Sequence, residues 1–319
     1  MNLYIKNEAN TDFSRARTRE TLQKILNLLN PSRSEMLSLG EVRKMLRPKS
    51  ESYRGLQVVP VDHIVGSEGR YADFNKQFLP RHEHLRSRWT RVDEAHLTNV
   101  ILPAIRLYEI GGVYFVRDGN HRVSVARSQG AISIDAEVVS LGSEIELNPD
   151  LTREKLLSLV LEYEKKQFYR ATRFDKIFPE YDLVFTAPGR YDEVLRHIYE
   201  HKYYVNMNYQ EEIPFEEAMK SWYQHVFLPI VSVIRERRLL ARFPGRTEAD
   251  LYVWLVKHWD TLKREHGGEF PLDAAAEDFS GRFGKDLWNQ IAEAFRIWRE
   301  SRRKKRRIAR GEILDEDLE

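Results

Sequence analysis

There is no cysteine among the 319 residues, which excludes disulfides, thiolate metal sites and cysteine nucleophiles together. Nor is there an excess of charge of either sign. The 51 Lys and Arg stand against 49 Asp and Glu, so no global field draws the chain to nucleic acid or to an anionic membrane, and any such role must rest on a local patch. No apolar run approaches the ~18 to 20 residues that span a bilayer. The opening residues, MNLYIKNEAN, lack the basic and then apolar order of a signal peptide. A cytoplasmic protein without a membrane partner is therefore expected. What the chain does have is 42% apolar residues, enough at this length for two domains or for one with helical additions.

The order of patterns predicts an α/β (α+β) protein in three parts. From Thr11 to about Asn30, Leu22, Ile25 and Leu29 recur at helical spacing until Pro31, marking an amphipathic helix. A short helical stretch at 34–46 and a mixed linker at 47–55 follow, so residues 1–51 read as an N-terminal helical extension. Residues 52–148 carry short β-branched and aromatic runs separated by helix-like stretches, the pattern of a small mixed-sheet domain. Gly111-Gly112 joins two of these runs as a tight hairpin, because glycine supplies the positive φ such turns need. Residues 149–319 are predominantly helical, with one strand expected over 182–188. Two helices there open alike, at Pro188-Gly189-Arg190 and Pro244-Gly245-Arg246. A shared grammar of helix starts explains this, with internal duplication as the alternative.

The strongest chemical signal is a strand, then Asp118-Gly119-Asn120-His121-Arg122, then a helix. Glycine at the strand end lets a ligand approach the backbone, and the free N–H groups of the first helical turn, with the helix dipole, favour an anion such as phosphate. Arg122 adds a forked, permanently charged donor and His121 a donor whose charge depends on pH. Against this stands a purely structural turn capped by Asn120.

The segment VYFVRDGNHRVSVARSQGAISIDAEVV resembles the ParB/sulfiredoxin superfamily, in which a strand, a turn and a helix grip the phosphates of a nucleotide. The upstream VVPVDHIVGSEGRYADF resembles the opening of the same domain, and together the two cover roughly Leu56 to Ser140. The whole chain also resembles bacterial proteins that join such a domain to a C-terminal helical region. Sulfiredoxins carry their catalytic cysteine where Asn120 stands, so that activity is excluded. ParB partition proteins usually have arginine at the place of His121 and a helix-turn-helix after the domain, and none is evident after Leu141. The turn is most similar to the D-G-H-H-R of free-serine kinases. There a glutamate in the early turn is the base, and the same spacing falls here on Glu68.

What the resemblance implies is a nucleotide site with Glu68 and His121 as catalytic groups. Asp118, Gly119, Asn120, His121, Arg122, Arg70 and Ser124 would be the phosphate-binding set. Arg70 would contact phosphate or pair with Glu68, and Asp118 would hold a Mg²⁺-bound water or brace Arg122. The cofactor implied is ATP, ADP or CTP with Mg²⁺. The function expected is an NTP- or ADP-dependent phosphotransferase or nucleotide hydrolase. The alternative is a nucleotide-switched, ParB-like DNA-binding or regulatory protein. Arg86, Arg88 and Arg91, on a basic helix, are placed to neutralise the ligand.

Weaker signals are read as structure. His82, His84 and His96, and the pair His197 and His201, have spacings compatible with a metal, but no metal site is expected. Trp222, Trp254, Trp259, Trp288 and Trp298 are expected as core or interface anchors. Leu287, Ile291, Ala294 and Trp298 mark a last helix. It runs into the basic stretch Arg302 to Arg307, a candidate nucleic-acid contact ahead of an acidic end. The expected partners are the nucleotide, a small-molecule or macromolecular acceptor, nucleic acid through that stretch, and a second copy of the chain as a homodimer.

Overall fold

The computed structural model describes residues 2–26, 35–207, 211–268 and 270–280. The chain divides into two compact units, Met1–Tyr163 and Glu164–Glu319. The Arg302–Arg307 run and the stripe from Leu287 to Trp298 lie outside the described residues. Among the described residues no helix is long and apolar enough to cross a membrane.

The first unit is mixed α/β. Its strands are β1 (Leu37–Ser38), β2 (Glu51–Pro60), β3 (Ile64–Ser67), β4 (Ile105–Ile110), β5 (Val113–Asp118) and β6 (Ser133–Leu141). They form one sheet in the order β1-β3-β5-β4-β6-β2. The pairs β1/β3, β3/β5 and β4/β6 are parallel, whereas β4/β5 and β2/β6 are antiparallel. The Gly111-Gly112 hairpin forms as the sequence predicts: both glycines have positive φ (60° and 91°), and Ile110 pairs with Val113. Side chains alternate across the sheet with the period-two rule. Ile64, Leu107, Val116 and Val138 feed one buried cluster with Phe13 and Trp89, while Val65, Tyr108, Phe115 and Leu141 feed the other with Leu39 and Val42.

The helices of this unit are α1 (Asn2–Leu26), α2 (Leu39–Leu46), α3 (Arg86–Leu97) and α4 (Asn120–Ser128), with the start of α5 (Arg153–Thr172). Two local expectations change here. Helix α1 buries Ala9, Phe13 and Ala16, with Phe13 edge-on to Trp89, while Leu22 and Ile25 are exposed. The expected leucine stripe is thus the outer face, because packing on α3 selects the side with the aromatic anchor. The linker expected at 47–55 is instead largely β2, whose polar residues Glu51 and Ser52 pair with Leu141 and Ser140; long-range pairing overrides composition there. Residues 1–51 belong to the same unit as the sheet, since β1 pairs with β3.

In the second unit α7 (Arg190–Asn206), α8 (Phe215–Trp222), α9 (Leu228–Glu236) and α10 (Glu248–Glu265) follow the short α6 (Phe174–Ile177). A π-helical turn at Tyr223–Phe227 joins α8 to α9. The core is aromatic, built on Phe174, Trp222, Phe227 and Tyr252, all fully buried. The strand expected over 182–188 is absent, and side chains of α10 and its cap satisfy that backbone instead. Thr247 donates its hydroxyl to the Val184 carbonyl, and buried Asp250 accepts both the amide and the hydroxyl of Thr186. Thr247 and Asp250 also close a capping box at this helix start.

Candidate anion-binding site

Strands β3 and β5 are parallel neighbours, so they end at the same edge of the sheet. Ser67 pairs with Val116, and the Glu68 amide continues the ladder by donating to the Val116 carbonyl at 2.9 Å. That edge therefore carries Glu68 and the Asp118-Gly119 turn side by side. Gly119 has φ 105°, and a Cβ there would lie 2.5 Å from Ile105 Cγ2. Only glycine fits between strand and helix at this point.

Helix α4 starts at once after Gly119. No side chain caps it and no acidic residue occupies its first turn, so the amides of the first turn and the positive end of the dipole carry no protein counter-charge. Asn120 is 8% exposed, and its buried Oδ1 has no hydrogen-bond partner; the buried Nδ1 of His121 has none either. Buried polar atoms normally find partners, so two orphans on consecutive residues set this uncapped helix start apart; the Asn120 Oδ1 is an acceptor and calls for a donor.

The His121 ring stands edge-on to Phe74, with centroids 5.3 Å apart. Burial, followed by the cations of Arg88 and Arg70, pushes its pKa down to about 4, and Asp73 opposes the shift only in part. Arg70 and Asp73 come from the loop between β3 and α3, where Arg70 binds Asp73 at 2.8 Å rather than Glu68. The loop is pinned by local contacts. Phe74 and Phe78 are buried, and Asn75 Oδ1 accepts the amides of Gln77 and Leu79. Phe78 sits at φ 59°, and its carbonyl accepts the Ser124 hydroxyl at 2.6 Å. This loop went unrecognised in the sequence. Its signal, two phenylalanines four apart around an asparagine, becomes legible only once α4 is known to pack beside it.

The predicted phosphate-binding residues divide into two groups. Gly119, Asn120, His121 and Arg70 converge on the helix start. Arg122 and Ser124 are engaged elsewhere. Arg122 donates to the Pro103 and Ala104 carbonyls and to Asp118, the last at 2.7 Å, with only 16% of its side chain exposed. Asp118 thus braces Arg122, one of its two expected roles. Ser124 is buried between the Phe78 carbonyl and Trp89 Nε1. Of the three arginines singled out on the basic helix, Arg88 acts on His121, whereas Arg86 turns to Glu83, Ser14 and the ring of Phe13. The Glu68 side chain is exposed and has no hydrogen-bond or ion-pair partner among the described residues.

A cleft of about 670 Å³ opens at the other end of α4, lined by Arg19, Asp62, His63, Gln77 and Arg127 among others. Volume and chemistry therefore point to opposite ends of one helix. The amino-terminal end is the better candidate for an anion, because the carbonyls at a helix carboxyl end repel negative charge. Arg127 is occupied in holding that end together. It donates to the Val61 and Ile64 carbonyls, both at 2.8 Å, and lies over the Phe78 ring. In the second unit His197 meets the Tyr252 hydroxyl and His201 the Ser221 hydroxyl. No group of three or more His, Asp or Glu among the described residues is arranged to hold a metal ion.

No family model, curated protein or solved structure matches the chain.

Proposed function

We propose that the first unit binds the polyphosphate of a nucleotide, ATP, ADP or CTP, against the amino terminus of α4. The reaction proposed is phosphoryl transfer to an acceptor, or to water. The observation that carries this reading is the uncapped start of α4, with no acidic residue in its first turn, directly behind a glycine at φ 105°. A polyphosphate supplies the oxygens that the free amides lack, and Arg88 and Arg70 supply counter-charge. The likeness of the β5 to β6 segment to the ParB/sulfiredoxin fold supports the same choice of ligand.

Glu68 is the candidate base, taking the proton from an acceptor hydroxyl as its oxygen forms a bond to phosphorus and the bond to the leaving nucleotide breaks. Mg²⁺ would be held chiefly by the phosphates themselves, as is usual for this ion, and would neutralise their charge. A second reading is favoured by one observation: no side chain or backbone group among the described residues orients the Glu68 carboxylate. On that reading the chain is a nucleotide-switched regulator, with DNA contact through Arg302 to Arg307 as the form the sequence suggests.

Calorimetry against ATP, ADP and CTP, followed by phosphorus NMR of any ligand that binds, tests both readings. Arg88→Ala, at an exposed position, should weaken the bound nucleotide by about tenfold, the usual worth of one charged contact. Unchanged affinity would place the phosphates elsewhere. Binding without turnover selects the regulator. No binding of any of the three removes the proposal.

A further inference from the structure

We infer that the outer edge of β2 is a docking surface for a second copy of this chain, the two β2 strands pairing antiparallel about a two-fold axis at Gln57. This stands apart from the nucleotide reading above.

Strand β2 ends the sheet, so only β6 pairs with it. The Val61 amide donates to the carbonyl of Ile132 directly opposite, and alternation along an antiparallel pair then turns Gly55, Gln57 and Val59 toward β6. Leu56 and Val58 present their N–H and C=O groups outward instead. Their side chains share one face, opposite Glu137 and Asp135, and are 67% and 69% exposed. Edge strands are normally guarded by charge, proline, a bulge or shortness. Strand β2 runs for ten residues, and its guards stand at the two ends of one segment: the bulge at Arg54, and Pro60. Between them Gly55-Leu56-Gln57-Val58-Val59 holds neither a charge nor a proline.

That bracketed segment is complementary to itself. Outward groups must meet outward groups, and an axis at Gln57 sets Leu56 opposite Val58 of the second copy and Val58 opposite its Leu56. Each pair exchanges two backbone hydrogen bonds, and the four apolar side chains close together on one face. The two Gln57 side chains meet on the other. Moving the axis one residue either way sets Val58 against the bulge, or Leu56 against Pro60, which has no N–H to give. Charge agrees with the same register. Arg54 of each copy lies opposite Pro60 of the other, two residues from Asp62, and neither Arg54 nor Asp62 is in an ion pair among the described residues. The pairing supplies both with a counter-charge, twice over, which an arbitrary extended peptide would not. A ladder of five residues is only ~17 Å long, less than the ~1,200 Å² of a permanent interface requires, so monomer and dimer exchange with concentration.

Sedimentation velocity of the full chain, from low to high micromolar, should show monomer giving way to dimer. Val58→Lys adds an edge charge at an exposed position without touching the core, and should leave monomer alone. The chain has no cysteine, so Gln57→Cys carries a single thiol. Across the axis the two Cα atoms would lie ~4.5 Å apart, within disulfide reach. Mild oxidation should therefore cross-link Gln57→Cys into a dimer, whereas Tyr53→Cys, ~27 Å from its mate along the strands, should stay uncross-linked. A wild type that remains monomeric at high micromolar concentration overturns the inference. So does a dimer that Val58→Lys leaves intact, or a Gln57→Cys protein that cross-links no faster than Tyr53→Cys.

Discussion

Replacing Arg122 with alanine removes three hydrogen bonds at once, to Asp118 and to the carbonyls of Pro103 and Ala104. A charged donor that is mostly buried is worth about 1.5 to 3 kcal/mol, so urea denaturation should show a loss of that order. Affinity for tripolyphosphate should fall less than in Arg88→Ala; the reverse order would mean that Arg122 grips the ligand. Glu68→Gln separates binding from chemistry in the same way. It should leave nucleotide affinity nearly unchanged while lowering any turnover by ~100-fold, the lower end of what a general base contributes. At this scale the sequence was legible where local grammar decides. The glycine, the asparagine and the histidine at the head of α4 follow from a strand-turn-helix pattern. The brace between Asp118 and Arg122, four residues apart, was among the expectations, but the carbonyls that also hold Arg122, 18 or 19 residues away, and the Phe78 carbonyl that holds Ser124, 46 away, were not. A charged or hydroxyl side chain beside a phosphate-type turn has two possible employers, the ligand and the fold, and only the neighbouring loops decide between them.

The same division holds for whole elements. The β4–β5 hairpin and α4 were readable because their signals are contiguous: a glycine pair, alternating apolar residues, and Gly130 with φ 74° just past the helix end. The start of β2 and the buried face of α1 were not, because each is chosen by a partner far along the chain. Helix α4 also makes a pH prediction. The folded-state pKa of His121 lies below the unfolded value of 6.5, so its contribution to stability is complete above about pH 6.5 and is lost as pH falls toward 4. His197 and His201 are shifted in the same direction by burial. Denaturant midpoints taken from pH 7.5 to 4.5 should therefore decline, and His121→Gln should remove part of that slope. A slope that the substitution leaves unchanged would show that the ring is not neutral in the folded chain.

Across the whole molecule the buried side chains fall into separate clusters. Helix α5 spans the boundary in sequence, giving Leu156 and Val160 to a core of the first unit and Phe168 to that of the second. The proposed anion site draws all of its groups from the first unit, while Trp222, fully buried, lies tilted against Phe227 and donates its Nε1 to the Tyr252 hydroxyl in the second. Trp222→Ala should cost the second core about 3 to 5 kcal/mol, because it leaves a large cavity and takes one of two hydrogen-bond partners from the Tyr252 hydroxyl, which keeps His197. With separate cores, calorimetric unfolding should resolve two transitions. A nucleotide that binds only the folded first unit raises one of them by mass action, whereas Trp222→Ala lowers the other and leaves nucleotide affinity unchanged. A single transition that moves with both the ligand and the mutation would mean that the two units unfold together, and the second would then act on the site through stability rather than through any group it places there.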